Sequence, residues 1–296
     1  MINRRNFMKW LGRLAVAGAS FTTYAFAIEP GFRMRTVTHR FTPPHWTPGL
    51  KLKIIMLADP HLAIPHMPVS RWDKIIAAAN ALEPDLMLLM GDFISGTKFQ
   101  FGKLTFEAAA DSAAACRAKL GTYAICGNHD WWEDWDLQLS RVGLPKVVPM
   151  LEAVGIPVLE NRVKRLEKDG LPFWLMGTSS IVAIWRGHGQ FEDRSDLKGT
   201  LAQITDDAPI IHLAHEPDLF VDVPDRVSVT LSGHTHGGQV RILGYAPLVP
   251  SSFGNRFAYG HIVENNQHLV VSGGLGCSVI PIRLGSPPEI TVLELG

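Results

Sequence analysis

The stretch Lys53-Ile54-Ile55-Met56-Leu57-Ala58-Asp59-Pro60-His61 decides how the rest of the chain is read. Residues 54–58 form a continuous apolar run, the pattern of a strand covered on both faces. The run stops at a carboxylate and an imidazole. In open α/β sheets ligands collect at the carboxyl ends of strands, and Asp59 and His61, two apart in a turn, can address one metal ion.

The same unit recurs downstream. Residues 70–82 carry helical spacing in Trp72, Ile75, Ile76 and Ala79 and end before Pro84. A second apolar run, 86–90, stops at Gly91-Asp92; helix-forming residues 107–120 then lead into a third, 122–126, which stops at Gly127-Asn128-His129-Asp130. Strand and polar-turn units separated by helices predict parallel strands with right-handed crossovers. The second half changes character. Runs 162–166 and 173–176 flank Lys168-Asp169-Gly170, a hairpin signal in which Gly170 supplies a positive φ. Run 209–214 ends at His215-Glu216, run 227–231 leads into Gly233-His234-Thr235-His236, and 256–263, 269–272 and 290–295 add short strands.

Working outward, residues 28–52 contain Pro30, Pro43, Pro44 and Pro48 and read as an extended lead-in strand and loop. Residues 1–27 read as a targeting segment or anchor. Arg4-Arg5 precedes Phe7, a modestly apolar run and the small-residue site Ala25-Phe26-Ala27, so the segment resembles a twin-arginine export signal. The expected location is therefore the periplasm or the outer face of the cytoplasmic membrane, with the twin-arginine export machinery as a partner and membrane association through the segment. The remaining 28–296 form one large domain. The chain has 28 basic and 28 acidic residues, so no global charge favours nucleic acid, and none is expected as a partner. Cys116, Cys126 and Cys277 are an odd set without a C-x-x-C pattern and read as buried or loop thiols rather than a disulfide framework or zinc ribbon.

Collected in order, the strand-end groups are Asp59, His61, Asp92, Asn128, His129, His215, His234 and His236. A lone buried histidine is usually a hydrogen-bonded core residue and a lone strand-end aspartate usually a helix cap. Five strands delivering such groups to one edge point elsewhere. Asp-x-His at 59–61, Gly-Asp at 91–92, Gly-Asn-His at 127–129, His215 and Gly-His-x-His at 233–236 resemble the motif set of the calcineurin-like metallophosphoesterases over roughly residues 50–295. That resemblance implies a four-layer α/β/β/α sandwich, two mixed sheets flanked by helices, with two divalent metals at its edge. It implies that Asp59, His61 and His236 hold the first metal, that Asn128, His215 and His234 hold the second, that Asp92 bridges both, and that the catalytic His129 addresses the phosphate.

Mixed oxygen and nitrogen ligands suit manganese, iron or zinc, and a pair of such ions is suited to in-line displacement at phosphorus. The expected activity is hydrolysis of a phosphodiester or pyrophosphate bond. The tail, with Ser251-Ser252-Phe253-Gly254-Asn255-Arg256, Gly274-Leu275-Gly276-Cys277 and Pro281-Ile282-Arg283, resembles the exported cell-envelope branch, which implies a lipid-linked or glycan-precursor substrate. Trp131, Trp132 and Trp135 follow His129 and either pack or line a lipid or sugar pocket. The family's Gly-Asp-x-x-Asp is absent: the run is Gly91-Asp92-Phe93-Ile94-Ser95-Gly96. This departs from the phosphoprotein phosphatase branch and leaves Asp130 as the nearest carboxylate in sequence to orient His129. A nucleotide phosphodiesterase and a noncatalytic metal-binding envelope protein are the rival readings.

Overall fold

A computed structural model of the chain describes residues 3–94, 96, 101–102 and 104–296; Ser95 of the shortened Gly-Asp run and the first two residues of the leader lie outside them. The helices are α1 (Arg4–Thr23), α2 (Glu29–Phe32), α3 (Val69–Asn80), α4 (Phe106–Ala113), α5 (Asn128–Trp132), α6 (Trp135–Ser140), α7 (Val147–Ala153) and α8 (Leu197–Leu201). In the first half the strands are β1 (Arg35–Phe41), β2 (Leu52–Leu57), β3 (Leu86–Leu89) and β4 (Thr122–Ala124). There follow β5 (Arg162–Lys168), β6 (Leu171–Gly177), β7 (Ile184–Gly187), β8 (Gln190–Glu192) and β9 (Ile210–Leu213). The last are β10 (Val229–Ser232), β11 (Gly260–Glu264), β12 (Gln267–Val271) and β13 (Glu289–Leu295).

Two large mixed sheets form the centre. One has the order β1-β13-β2-β3-β4, with β2, β3 and β4 parallel as the repeated strand-turn pattern predicts. The other has the order β11-β12-β10-β9-β6-β5, parallel except at its two edges. The period-2 pleat explains the continuous apolar run of β2. Ile54 and Met56 join Leu88, Leu175, Leu213 and Leu231 between the sheets, while Ile55 and Leu57 join Trp72, Ile75 and Ile76 under α3. A third apolar cluster, including Trp174, Met176, Ile210 and Phe257, covers the far face of the second sheet. Full burial of each large aliphatic side chain is worth about 1.5–3 kcal/mol, so both faces of β2 hold it in register.

Three expectations need correction. The helix expected over 107–120 ends at Ala113, because Asn80 captures the chain beyond it: its side chain donates to the Ala115 carbonyl and accepts from Arg117 N, at 2.8 Å each. Leu120 N then donates to the Asp85 carbonyl, which draws the segment toward β3. Residues 28–52 are not extended throughout, since Glu29–Phe32 is helical and only Arg35–Phe41 forms a strand. The tail strand begins at Gly260 rather than at 256, where the chain is a 3-10 turn. The β5–β6 hairpin is as expected, and both Asp169 and Gly170 have positive φ, 52° and 79°. All three cysteines are free and buried.

Candidate metal centre

The strand-end turns are tied to one another before any side chain is considered. Asp59 N donates to the Gly91 carbonyl, His61 N to the Asp92 carbonyl and Gly233 N to the His215 carbonyl. These turns bend in an unusual way: Asp59, His61, Asp92, His234 and His236 all have φ between 43° and 67°. Non-glycine residues pay for that conformation, and such strain concentrates where side-chain placement matters more than stability. Close approach also sets Gly127, where a Cβ would lie 2.3 Å from Asp92 Oδ1 and 2.4 Å from His215 Cε1.

The backbone thereby brings together seven residues from opposite ends of the sequence. Donor atoms of Asp59, His61, Asp92 and His236 lie within 4.8 Å of one another, as do those of Asp92, His215 and His234. Asn128 joins the second group, its Oδ1 lying 2.8 Å from His234 Nδ1. Asp92 belongs to both, with Oδ2 3.3 Å from His61 Nε2 and 3.2 Å from His215 Nε2. His61 Nε2 and His236 Nε2 face each other at 3.1 Å. Asp59 Oδ2 and His215 Nε2 are buried and make no hydrogen bond. Buried polar atoms are seldom left this way, and the converging lone pairs fit divalent cations.

Electrostatics point the same way. Burial pushes the Asp59 carboxyl up to about 7, with His215 opposing and the Asp92 charge adding to the rise. Burial also works against the charged form of Asp92, yet the His215 and His129 imidazoles hold it well below the usual carboxylate range. His215 is the counterpart: burial lowers it, and Asp92 and Asp59 more than reverse this, leaving it well above the ordinary histidine value. Burial, with His61 and Arg283 adding, keeps His236 well below its ordinary value and so in the neutral form that ligates metals.

His129 stands at the rim. Its backbone N donates to Asp92 Oδ1 at 2.8 Å, and its ring packs edge-on against His61 at 4.8 Å between centroids. Asp130 does not orient that ring. Its carboxylate accepts from Gly127 N, Asp92 N and Phe93 N at 2.7–2.9 Å and so fixes the turn that carries Asp92. The groups beside the ring are Ser278 Oγ, 3.2 Å from Nε2, and Glu133 Oε1, 3.9 Å from Nδ1. Burial lowers the His129 pKa, but Asp92 and Glu133 together raise it above the ordinary value.

Two further residues escaped the sequence reading. Arg283, wholly buried, donates to the Gly273, Gly276 and Ser286 carbonyls and places Nη2 3.1 Å from His236 Nδ1. It belongs to the Pro281-Ile282-Arg283 stretch of the tail resemblance, which gave it no role at the donor cluster. Glu216, the residue after His215, is buried and accepts from Ser180 Oγ and Ile181 N, tying that turn to the 180–181 segment. The three tryptophans divide: Trp131 is buried in the core beneath α5, whereas Trp132 and Trp135 line a cleft of about 310 Å³ with Glu133, Gln138, Trp185 and Phe191. Trp132 packs 5.0 Å from the His129 ring and stacks on Phe191 at 5.2 Å. His212 is a core residue between Thr178 and Thr230.

Residues 52–238, which carry every one of the converging donors, match the model of the calcineurin-like phosphoesterase family. The chain belongs to that family. The phosphodiesterase YaeI of Escherichia coli (strain K12) is 30% identical over 305 residues, covering 100% of both chains. The metallophosphoesterase YkuE of Bacillus subtilis (strain 168) is 28% identical, covering 99% of this chain and 98% of that one. A transmembrane protein with a metallophosphoesterase domain from Danio rerio is 30% identical over 82% of this chain and 53% of its own length. Membership and the donor cluster together make the chain a metal-dependent phosphoesterase, a hydrolase.

Proposed function

We propose that the chain is an exported dinuclear phosphoesterase acting on phosphodiester or pyrophosphate bonds of an envelope lipid or glycan precursor. The observation that carries the dinuclear reading is Asp92, whose single carboxylate stands within 3.3 Å of an imidazole nitrogen in each donor group. In this reading Asp59, His61 and His236 hold one ion, Asn128, His215 and His234 the other, and Asp92 both. Bound manganese, iron or zinc supplies Lewis acidity at the phosphoryl oxygens and a water acidic enough to ionise near neutral pH.

The chain's own groups do the rest. His129 Nε2 faces the rim, beside Ser278, and donates a proton to the leaving oxygen. Glu133, one helical turn on, places Oε1 3.9 Å from the buried and otherwise unpartnered Nδ1, and in this reading it is the carboxylate that steadies the charged ring. Gly96 makes room for it, because a Cβ there would fall 2.0 Å from Glu133 Oε1. Trp132 and Trp135 offer the apolar portion of the substrate a surface beside the reacting phosphate. Arg4 and Arg5 are exposed at the start of α1, available to the export machinery.

The test combines metal analysis of the purified protein with hydrolysis of a chromogenic phosphodiester and phosphomonoester, then of a diphosphate-linked lipid and a nucleotide diester. Two equivalents of metal and preference for the diester and the lipid are expected. Metal without turnover would return the binding-protein reading, and preference for the nucleotide diester would replace the substrate. For export, Arg4→Lys with Arg5→Lys should retain the protein in the cytoplasm, and unchanged envelope localisation would remove the twin-arginine assignment.

A further inference from the structure

Residues 24–33 are built into the folded domain. Tyr24–Ile28 continues α1 as a π-helical turn into α2, and Ala25 and Glu29 are 1% and 2% exposed. The Ala25 carbonyl accepts from Arg283 N at 2.9 Å, and Glu29 Oε1 accepts from Ser286 N at 2.8 Å. Phe26 O lies 2.6 Å from His66 Nε2, and the Arg71 guanidinium donates to the Pro30 and Arg33 carbonyls. The partners matter, because Arg283 is the residue whose guanidinium meets His236 in the donor cluster.

Helix α1, which precedes this joint, is its opposite. None of its residues is buried, and Trp10, Leu11, Leu14, Val16 and Phe21 are 45–68% exposed. Its 20 residues span about 30 Å at 1.5 Å each, the thickness of a hydrocarbon core, and the continuous helix Arg4–Phe32 is long and apolar enough to cross a membrane. Water is a poor solvent for such a helix, and none of its side chains is buried among the described residues; a lipid bilayer would both solvate and cover it.

We infer that the N-terminal segment is retained as a permanent bilayer anchor, and that residues 24–33 join it rigidly to the wall of the metal centre. A cut after Ala27 would separate the Ala25 carbonyl from the domain and strip a buried Arg283 N–H of its acceptor. The scissile bond also lies within a hydrogen-bonded helix docked on the protein, and proteolysis acts on opened chain. The joint places the site at a fixed height over the lipid surface.

The full-length chain, expressed in cells and extracted from their membranes, tests this by intact mass. A mass that includes residues upstream of Tyr24 is expected; a mature chain starting at Ile28 overturns retention. Flotation with vesicles of phosphatidylethanolamine and phosphatidylglycerol tests the occupant. Wild type should float, and Leu11→Lys with Leu14→Lys and Val16→Lys should not, at unchanged turnover of a soluble chromogenic diester. A wild type that stays below, or a variant that floats, overturns the anchor. Hydrogen exchange in Glu29→Ala tests the joint: faster exchange over residues 283–286 is expected, and unchanged exchange there overturns it. Loss of turnover in every protein with flotation intact would fault the proposed function and leave the anchor standing.

Discussion

The two ends of β2 and β3 carry carboxylates of the same kind in opposite circumstances. At the amino-terminal end Asp85 is buried and fully matched: Oδ2 accepts from Lys53 N at 2.9 Å and from Lys168 Nζ at 2.5 Å, and Oδ1 from Lys119 Nζ at 3.3 Å. At the carboxyl end Asp59 and Asp92 sit in strained turns among imidazoles, and one Asp59 oxygen has no hydrogen-bond donor. From Asp85 before β3 to Asp92 seven residues on, past its far end, a charge that is fully paired gives way to one left for something else. The first arrangement stabilises the sandwich; the second keeps binding capacity at a cost in stability, the trade expected of a functional site.

The largest effect should come from breaking the unpaired end at its centre. Asp92→Asn removes one oxygen anion shared by both donor groups, so metal analysis should show loss of at least one ion and diester hydrolysis should fall to background. Full metal content with activity would erase the distinction between the two ends. Next, His129→Ala should keep both metals and lower kcat by about 10²–10⁴-fold, the usual worth of general acid catalysis, with a smaller loss for nitrophenyl than for alkyl esters. An equal loss for both esters would deny His129 the leaving-group role.

Glu133→Gln should lower kcat by about 10–100-fold, taking as a guide the cost of removing carboxylates that orient metal-ligating imidazoles, with KM and metal content unchanged and partial recovery in Glu133→Asp. A change in KM alone would make Glu133 a wall of the aromatic cleft. The smallest effect on activity belongs to the paired end. Asp85→Asn should leave turnover and metal content untouched while lowering unfolding stability by about 1.5–3 kcal/mol, as for hydrogen bonds to a charged group. Burial pushes the Asp85 carboxyl up, but the Lys168 and Lys53 contacts outweigh it and hold the carboxyl below its usual range. Its contribution is therefore present above the unfolded value near about pH 4 and disappears as pH falls through the lower folded value. Denaturant titrations of wild type and variant should converge on acidification, and curves that stay parallel would refute the pairing argument.

What the sequence by itself determined is local and periodic. Alternating burial of Ile54, Ile55, Met56 and Leu57 and the spacing of Trp72, Ile75, Ile76 and Ala79 follow from the 2.0 and 3.6 repeats, and both elements are found where those repeats place them. The strand-end polar groups were legible because every one interrupts an apolar run. Tertiary structure decided what depends on distant partners. Ser278 reaches His129 across 149 positions, Arg283 braces His236 across 47, and Asn80 ends α4 from 35 positions away, and no periodicity carries such information. Glu133 was within four residues of His129, yet only the helical turn of α5 and the bare Cα of Gly96 turn its carboxylate toward the ring. Trp131 and Trp132 are neighbours in sequence and differ in fate because adjacent helical positions point about 100° apart, one into the core and one toward the cleft.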